Sequence, residues 1–201
     1  MIAIIDYGVG NLFSVEKAFA AIGEDVKVTG EAEDLRSADK LVLPGVGAFG
    51  DCMKNLEATG LIPVIIEQIA NKKPLLGICV GLQILFEGSE ESPNAKGLGI
   101  FKGSVRRINA PQLKIPHMGW NGISFKDMSI FDGLRELSYF YFVHSYHAVP
   151  EDKNLIVATT DYGEELTAAV ARDNIYATQF HPEKSGDVGL QLLKNFVNMT
   201  C

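Results

Sequence analysis

Apolar residues follow two rhythms along this chain. Residues 2–5, Lys40-Leu41-Val42-Leu43 and Leu75-Leu76-Gly77-Ile78 are short, nearly continuous apolar runs, the pattern of strands buried on both faces. Between them the spacing turns helical. Leu12, Val15, Phe19 and Ile22 form one stripe behind Asn11, a residue suited to capping a helix start. Ile62, Ile65, Ile66 and Ile69 form another, with Pro63 in the first turn, where proline is tolerated. A short apolar helix is predicted over residues 80–86. Strands alternating with helices imply a parallel sheet covered on both faces. Strand signals at 104–108, 140–144, 155–160 and 175–178 add antiparallel strands to the same domain. Ser185 is expected to cap a final helix with an inward stripe of Val188, Leu192, Phe196 and Met199. The expectation is one domain over residues 1–201, a three-layer α/β sandwich whose sheet is mostly parallel with added antiparallel strands. Sites in such sheets form at the carboxyl ends of the strands.

Composition narrows the function. The chain has 201 residues, 47% hydrophobic and 21% charged, which is globular composition and argues against disorder. A net charge of −7 leaves no overall footprint for nucleic acid. No apolar run approaches the roughly 20 residues of a membrane helix. The opening residues lack the basic start and cleavage site of a signal peptide, so a cytoplasmic protein is expected. Cys52, Cys79 and Cys201 are odd in number and scattered, so neither a disulfide framework nor a C-x-x-C metal site is expected. No metal or cofactor is expected. Cys52 and Cys201 read as structural or terminal.

Cys79 stands apart. Gly77-Ile78-Cys79-Val80-Gly81 lies between a predicted strand and a predicted helix, with glycines two residues either side of the cysteine. This is the spacing of a nucleophile elbow with a thiol in place of the usual hydroxyl. The sharp turn strains the nucleophile, and the glycines remove side chains that would clash in the bend. The helix start favours thiolate, and the Val80 amide can meet a developing oxyanion.

A thiol nucleophile benefits from a base held by a third group. His181-Pro182-Glu183 follows a predicted strand. If the backbone stays extended, positions 181 and 183 project to one side, so Glu183 can steady the His181 imidazole. The bland alternative is a surface loop that happens to contain these residues. His144 and His147, three apart, fall on opposite faces of a strand, which disfavours a shared metal. His117 reads as a loop residue. Gly45-Val46-Gly47-Ala48-Phe49-Gly50 matches a dinucleotide-binding pattern, but Pro44 intervenes and no acid follows at the required distance. The remaining readings are a plain glycine turn, or a loop whose backbone amides approach negative charge.

Three segments then carry a resemblance: Leu43-Pro44-Gly45-Val46-Gly47, Gly77-Ile78-Cys79-Val80-Gly81-Leu82-Gln83 and Gln179-Phe180-His181-Pro182-Glu183. In that order they resemble the class I (triad) glutamine amidotransferases. The resemblance implies that Cys79 attacks the glutamine side-chain amide, His181 moves protons and Glu183 orients His181. It implies oxyanion amides from Val80 and from Gly45, Val46 and Gly47 once a peptide reorients, with Gln83 holding substrate.

Further segments, among them Ile5-Asp6-Tyr7-Gly8-Val9-Gly10-Asn11, His117-Met118-Gly119-Trp120-Asn121, Tyr141-Phe142-Val143-His144-Ser145-Tyr146 and His181-Pro182-Glu183-Lys184-Ser185, resemble glutaminase subunits that serve imidazole glycerol phosphate synthesis. By that resemblance Glu91, His144, Ser145 and Tyr146 border the glutamine pocket. Asn11, Trp120, Asn121, Tyr141 and Lys184 lie near the interface with a (βα)₈-barrel cyclase subunit in a heterodimer. For Trp120 and the run 139–142, ordinary core packing is the competing reading. Glutaminases of pyridoxal phosphate or anthranilate synthesis, an NAD-binding oxidoreductase, a cysteine peptidase of similar fold and an inactive interaction module are the alternatives.

Overall fold

The structure, a computed structural model, describes residues 1–199. In chain order its elements are β1 (Ile2–Ile5), α1 (Leu12–Ala21), β2 (Val26–Thr29), α2 (Ala32–Ser37), β3 (Lys40–Gly45), α3 (Phe49–Thr59), α4 (Ile62–Ala70), β4 (Leu75–Cys79) and α5 (Val80–Gln83). There follow β5 (Gly103–Arg107), β6 (His117–Gly122), β7 (Ser124–Phe125), β8 (Tyr139–His144), β9 (Tyr146–Pro150), β10 (Ile156–Asp161), β11 (Glu165–Arg172), β12 (Ile175–Thr178) and α6 (Gly186–Asn198).

Eight strands form the central sheet in the order β2-β1-β3-β4-β12-β11-β10-β7. The first five are parallel, and the other three continue the sheet antiparallel. The expected mixed sheet is therefore present, with one refinement. The strand at 175–178 is not an added antiparallel strand, because it pairs parallel with β4 inside the core. The signals at 104–108 and 140–144 belong to two separate antiparallel pairs, β5-β9 and β6-β8. The chain steps from β1 outward to β2, then crosses back to β3. Right-handed crossovers put α1 on one face and α2 to α4 on the other. The packing agrees, since α1 touches α6 while α2 and α3 touch α4. The switch in direction opens a crevice above the carboxyl ends of β1 and β3.

Asn11 caps α1 as expected: its side-chain oxygen accepts from the Ser14 amide at 3.3 Å. Asn11→Ala is expected to cost about 1 kcal/mol. It should lower the melting temperature of the isolated chain by roughly 2–4 °C.

Other expectations need correction. In α4 the buried face is Val64, Ile65 and Gln68, while Ile66 is 39% exposed and Ile62 and Ile69 are only partly covered. Periodicity sets the spacing of a stripe, but the neighbouring α2 and α3 decide which of two adjacent stripes turns inward. The helix after Cys79 ends at Gln83 rather than at residue 86. Ser185 stands at the start of α6 but does not cap it. Its hydroxyl donates to the His181 carbonyl at 2.6 Å and accepts from the Tyr141 amide at 3.0 Å. Leu192 and Phe196 are buried in α6 as expected, Val188 is partly covered, and Met199 lies beyond the helix end. Cys201 lies outside the described residues. Among the described residues, no helix is long and apolar enough to cross a membrane.

Candidate active site

Cys79 ends β4 and opens α5 with φ 55° and ψ −110°, a left-handed backbone rare for a residue with a side chain. The glycines make this turn possible. A Cβ on Gly81 would stand 1.9 Å from the Leu43 carbonyl oxygen, and one on Gly45 would stand 2.7 Å from the Gly81 amide nitrogen. One on Gly77 would reach Ala177 Cβ and the Gly81 carbonyl oxygen at 3.0 Å each. Bare backbone lets α5 sit directly on β3, whose Gly45 pairs with Cys79 in the sheet.

His181 follows β12, the strand beside β4. Its Nδ1 lies 2.7 Å from Glu183 Oε1, and both side chains are 2% exposed. The route to this contact differs from the extended backbone inferred above. Residues Pro182–Lys184 form a 3-10 turn, and the turn brings the carboxylate back to the ring. Ser185 and the Tyr141 carbonyl, which accepts from the His181 amide at 2.9 Å, tie the turn to β8. With Nδ1 committed to Glu183, Nε2 is the ring nitrogen left for chemistry. It is buried without a hydrogen-bond partner. Burial pushes the His181 pKa down, but the Cys79 thiol and Glu183 outweigh it and raise the value to about 9. The thiol is therefore within electrostatic reach of the ring, although no well-aligned hydrogen bond joins them.

Cys79 and His181 open into one cavity of about 370 Å³. Of the residues singled out from sequence, Asn11, Val46, Gly47, Val80, Gln83, Glu91, His144, Ser145, Tyr146 and Lys184 also line it. Glu91 Oε2 accepts from the Phe49 amide at 2.8 Å, which fixes its carboxylate beside the glycine loop. Gln83 Nε2 donates to the Tyr146 carbonyl at 3.1 Å and to Gln179 Oε1 at 3.0 Å. Trp120 and Tyr141 pack edge to face on β6 and β8, with Lys184 Nζ 5.7 Å from the Tyr141 ring centre. Trp120 is 54% exposed, which rules out the core-packing reading for it, whereas Phe140 and Phe142 are core. A larger, open cleft of about 830 Å³ between Glu87 and Lys153 contains neither Cys79 nor His181.

The roles of Gln179, Tyr7 and His117 escaped the sequence reading, and Cys52, read as structural, is buried beside the site. Gln179 is fully buried, and its Nε2 lies 3.7 Å from Cys79 Sγ. Two-residue spacing from His181 was the available signal, since alternate positions of a strand share a face. Tyr7 donates to the Pro44 carbonyl at 2.6 Å, and the Cys52 thiol donates to the Val46 carbonyl at 3.3 Å. Burial above all raises the Cys52 pKa to about 11, so the thiol keeps its proton. His117 is not a loop residue. It opens β6, is 2% exposed and makes a 2.9 Å hydrogen bond with His144. Nor do His144 and His147 share a strand: His144 ends β8 and His147 lies in β9.

A strained cysteine beside a histidine–carboxylate pair, at the carboxyl ends of parallel strands, is the arrangement of a cysteine-nucleophile hydrolase. The chain belongs to the class-I glutamine amidotransferase family, whose profile matches residues 3–199. Within that family it aligns end to end with imidazole glycerol phosphate synthase subunits HisH. The protein from Methanothermobacter thermautotrophicus is 54% identical over 200 residues, covering 99% of this chain and 98% of that one. The one from Sulfurimonas denitrificans is 51% identical, covering 98% and 97%. Among solved structures, PurLQS from Thermotoga maritima superposes with a TM-score of 0.78 at 19% identity, covering 98% and 97%. The glutaminase domain of CTPS from Trypanosoma brucei reaches 0.63 at 18%, covering 100% and 94%. These structures share the fold.

Proposed function

We propose that the chain is the glutaminase subunit of an imidazole glycerol phosphate synthase, hydrolysing L-glutamine to L-glutamate and ammonia through a thioester on Cys79. The carrying observation is that His181, paired with the buried Glu183 behind it, opens into the same cavity as the strained Cys79. The thiolate attacks the side-chain amide carbon of glutamine. The oxyanion is met by the Val80 amide and by an amide of the segment Gly45-Val46-Gly47 that leaves β3. His181 protonates the leaving nitrogen at Nε2, and ammonia departs. His181 then takes a proton from water, which attacks the thioester and releases glutamate and the thiol. Glu91 offers its negative charge to the substrate ammonium group, and Gln83, His144, Ser145 and Tyr146 complete the pocket.

The pH profile tests the acid. A pKa of about 9 keeps His181 protonated through neutral pH, and the proton is lost as pH rises through that value. Glutaminase kcat/KM should therefore fall above about pH 9. Glu183 is one of the contributions raising this pKa. Glu183→Gln should therefore move the basic limb to lower pH as well as slow turnover. A limb that stays in place in E183Q would contradict the role of Glu183.

The partner is a (βα)₈-barrel cyclase subunit forming a heterodimer with this chain, and it takes up the ammonia. Free ammonia is readily protonated or lost to water, so the cavity must open onto a shielded passage. Asn11, Trp120, Tyr141 and Lys184 are assigned to the interface, on the face where Met118, Trp120 and Tyr139 are 62%, 54% and 60% exposed. Asn121, expected there from sequence, turns its side chain to the other face of β6, where its Nδ2 donates to the Asp161 carbonyl at 2.8 Å and lies 3.3 Å from His117 Nε2. Trp120→Ala should weaken the complex by roughly 2 kcal/mol, about thirtyfold in Kd. An unchanged Kd by calorimetry would remove Trp120 from the interface.

Partner binding switches the oxyanion strand. Tyr7 and Cys52 anchor the carbonyls of Pro44 and Val46, so the turn is assigned to the peptide between them, Gly45–Val46, which must leave the pairing of Gly45 with Cys79 to make it. The decisive assay compares glutamate release by the chain alone and with the cyclase subunit. Strong turnover only in the complex is expected. Full turnover by the chain alone would defeat the switch, and none in either state would defeat the glutaminase assignment.

A further inference from the structure

A line of hydrogen bonds runs from β6 to the sulfur of Cys79. Asn121 Nδ2 lies 3.3 Å from His117 Nε2, and His117 Nδ1 lies 2.9 Å from His144 Nε2. His144 Nδ1 lies 2.8 Å from the Tyr146 carbonyl. That carbonyl also accepts from Gln83, whose amide donates to Gln179, and Gln179 donates to the sulfur.

One fixed acceptor sets every proton in the histidine pair. A carbonyl oxygen can only accept, so His144 carries its hydrogen on Nδ1. Its Nε2 is then a bare acceptor, and His117 must present Nδ1–H to it. His117 Nε2 in turn accepts from the Asn121 amide. Burial keeps both rings neutral, lowering the pKa of His144 to about 3 and that of His117 to about 4. With this hydrogen placement, a proton added to His144 would set two donors against each other in the bond between the rings, and one added to His117 would do the same in its bond with the Asn121 amide.

We propose that His117, which does not line the cavity, is a positioning residue for glutamine hydrolysis: by donating to the Nε2 that the Tyr146 carbonyl leaves bare it locks the orientation of His144, and through the shared Tyr146 carbonyl it holds Gln83 in register with the substrate. This rests on the glutaminase assignment above. The competing role is packing alone, because the His117 ring also stacks between Phe142 and Tyr162, with ring centres 4.7 Å and 4.1 Å away.

Two substitutions separate the roles. His117→Phe keeps the stacked ring and removes the donor. His117→Asn removes the ring and keeps an N–H near the position of Nδ1. Each variant is assayed as the complex with the cyclase subunit, for glutamine KM and kcat. In parallel, the ring nitrogens of the full chain labelled with ¹⁵N-histidine are read by NMR.

Losing one buried hydrogen bond on the pocket wall should raise KM for glutamine about tenfold in H117F, with kcat within about threefold. H117N should lie within about threefold of the parent in both constants. His144 should show a single Nδ1–H tautomer in all three proteins, with an Nε2 shift that reports an accepted hydrogen bond in the parent and in H117N and loses it in H117F. Parent-like kinetics in H117F with impaired H117N would reduce His117 to packing. An unchanged His144 Nε2 shift in H117F would refute the orientation lock. If the parent complex turns over no glutamine, the glutaminase assignment and the positioning role fall together, while the nitrogen shifts still report whether the His117–His144 bond exists.

Discussion

Replacing Cys79 by alanine should abolish glutamine-dependent synthesis in the complex and leave ammonia-dependent synthesis intact. The sulfur is the group that can form the thioester, and no other nucleophile named at the cavity can replace it. By comparison with hydrolase triads, loss of the nucleophile costs about 10⁴-fold or more in turnover. Supplied ammonia bypasses the glutaminase step, so the cyclase reaction is untouched. The backbone makes a second outcome available in the same experiment. Cys79 sits at φ 55°, a conformation costing about 1–3 kcal/mol for a residue with a Cβ. Alanine keeps that strain, whereas Cys79→Gly relieves it. C79G should therefore melt higher than C79A while both remain inactive. Loss of both glutamine- and ammonia-dependent synthesis in C79A, or of neither, would defeat the role given to this sulfur.

Gly81→Ala should be the most damaging single methyl group in the elbow. The added carbon would stand 1.9 Å from the Leu43 carbonyl oxygen and 3.0 Å from its carbon, and both are backbone atoms of a central strand. No side-chain rotation can relieve such a contact, so α5 or β3 must move. The expected loss is roughly 3 kcal/mol or more, a melting temperature lower by roughly 10 °C. Movement of α5 also carries the Val80 amide away from the oxyanion, and losing one such donor costs about 10²–10³ in rate. Gly88→Ala is the control. Its Cβ would meet only the Ala95 carbonyl oxygen, at 3.7 Å, and the change should stay within about 0.5 kcal/mol. Equal melting temperatures for G81A and G88A would show that α5 does not rest on β3 as described.

What could be read from residues alone was local. The runs at 2–5 and 75–78 declared themselves as strands, since a short continuous apolar run set between helical stripes fits a doubly covered strand and is too short for a helix. The elbow at Cys79 was legible because its requirement, glycine two residues either side, is satisfied within five positions. His181 and Glu183 were legible as partners because they are two residues apart, although a 3-10 turn rather than an extended chain makes the contact. The cap at Asn11 was readable for the same reason. The family resemblance supplied the order of the segments and the identity of the pocket wall.

Contacts across the chain were decided by the tertiary structure. His117 meets His144 across 27 positions, Tyr7 meets Pro44 across 37, and Gln179 meets Cys79 across 100. The glycine-broken run His117-Met118-Gly119-Trp120-Asn121-Gly122 carries no strand alternation, so it formed β6 only by pairing with β8. Periodicity likewise could not choose between adjacent stripes of α4. Short-range order follows from backbone sterics and hydrogen bonds a few residues long, which each stretch of sequence carries within itself. Strand order and burial follow from which distant segments pair, and only the folded sheet holds that information.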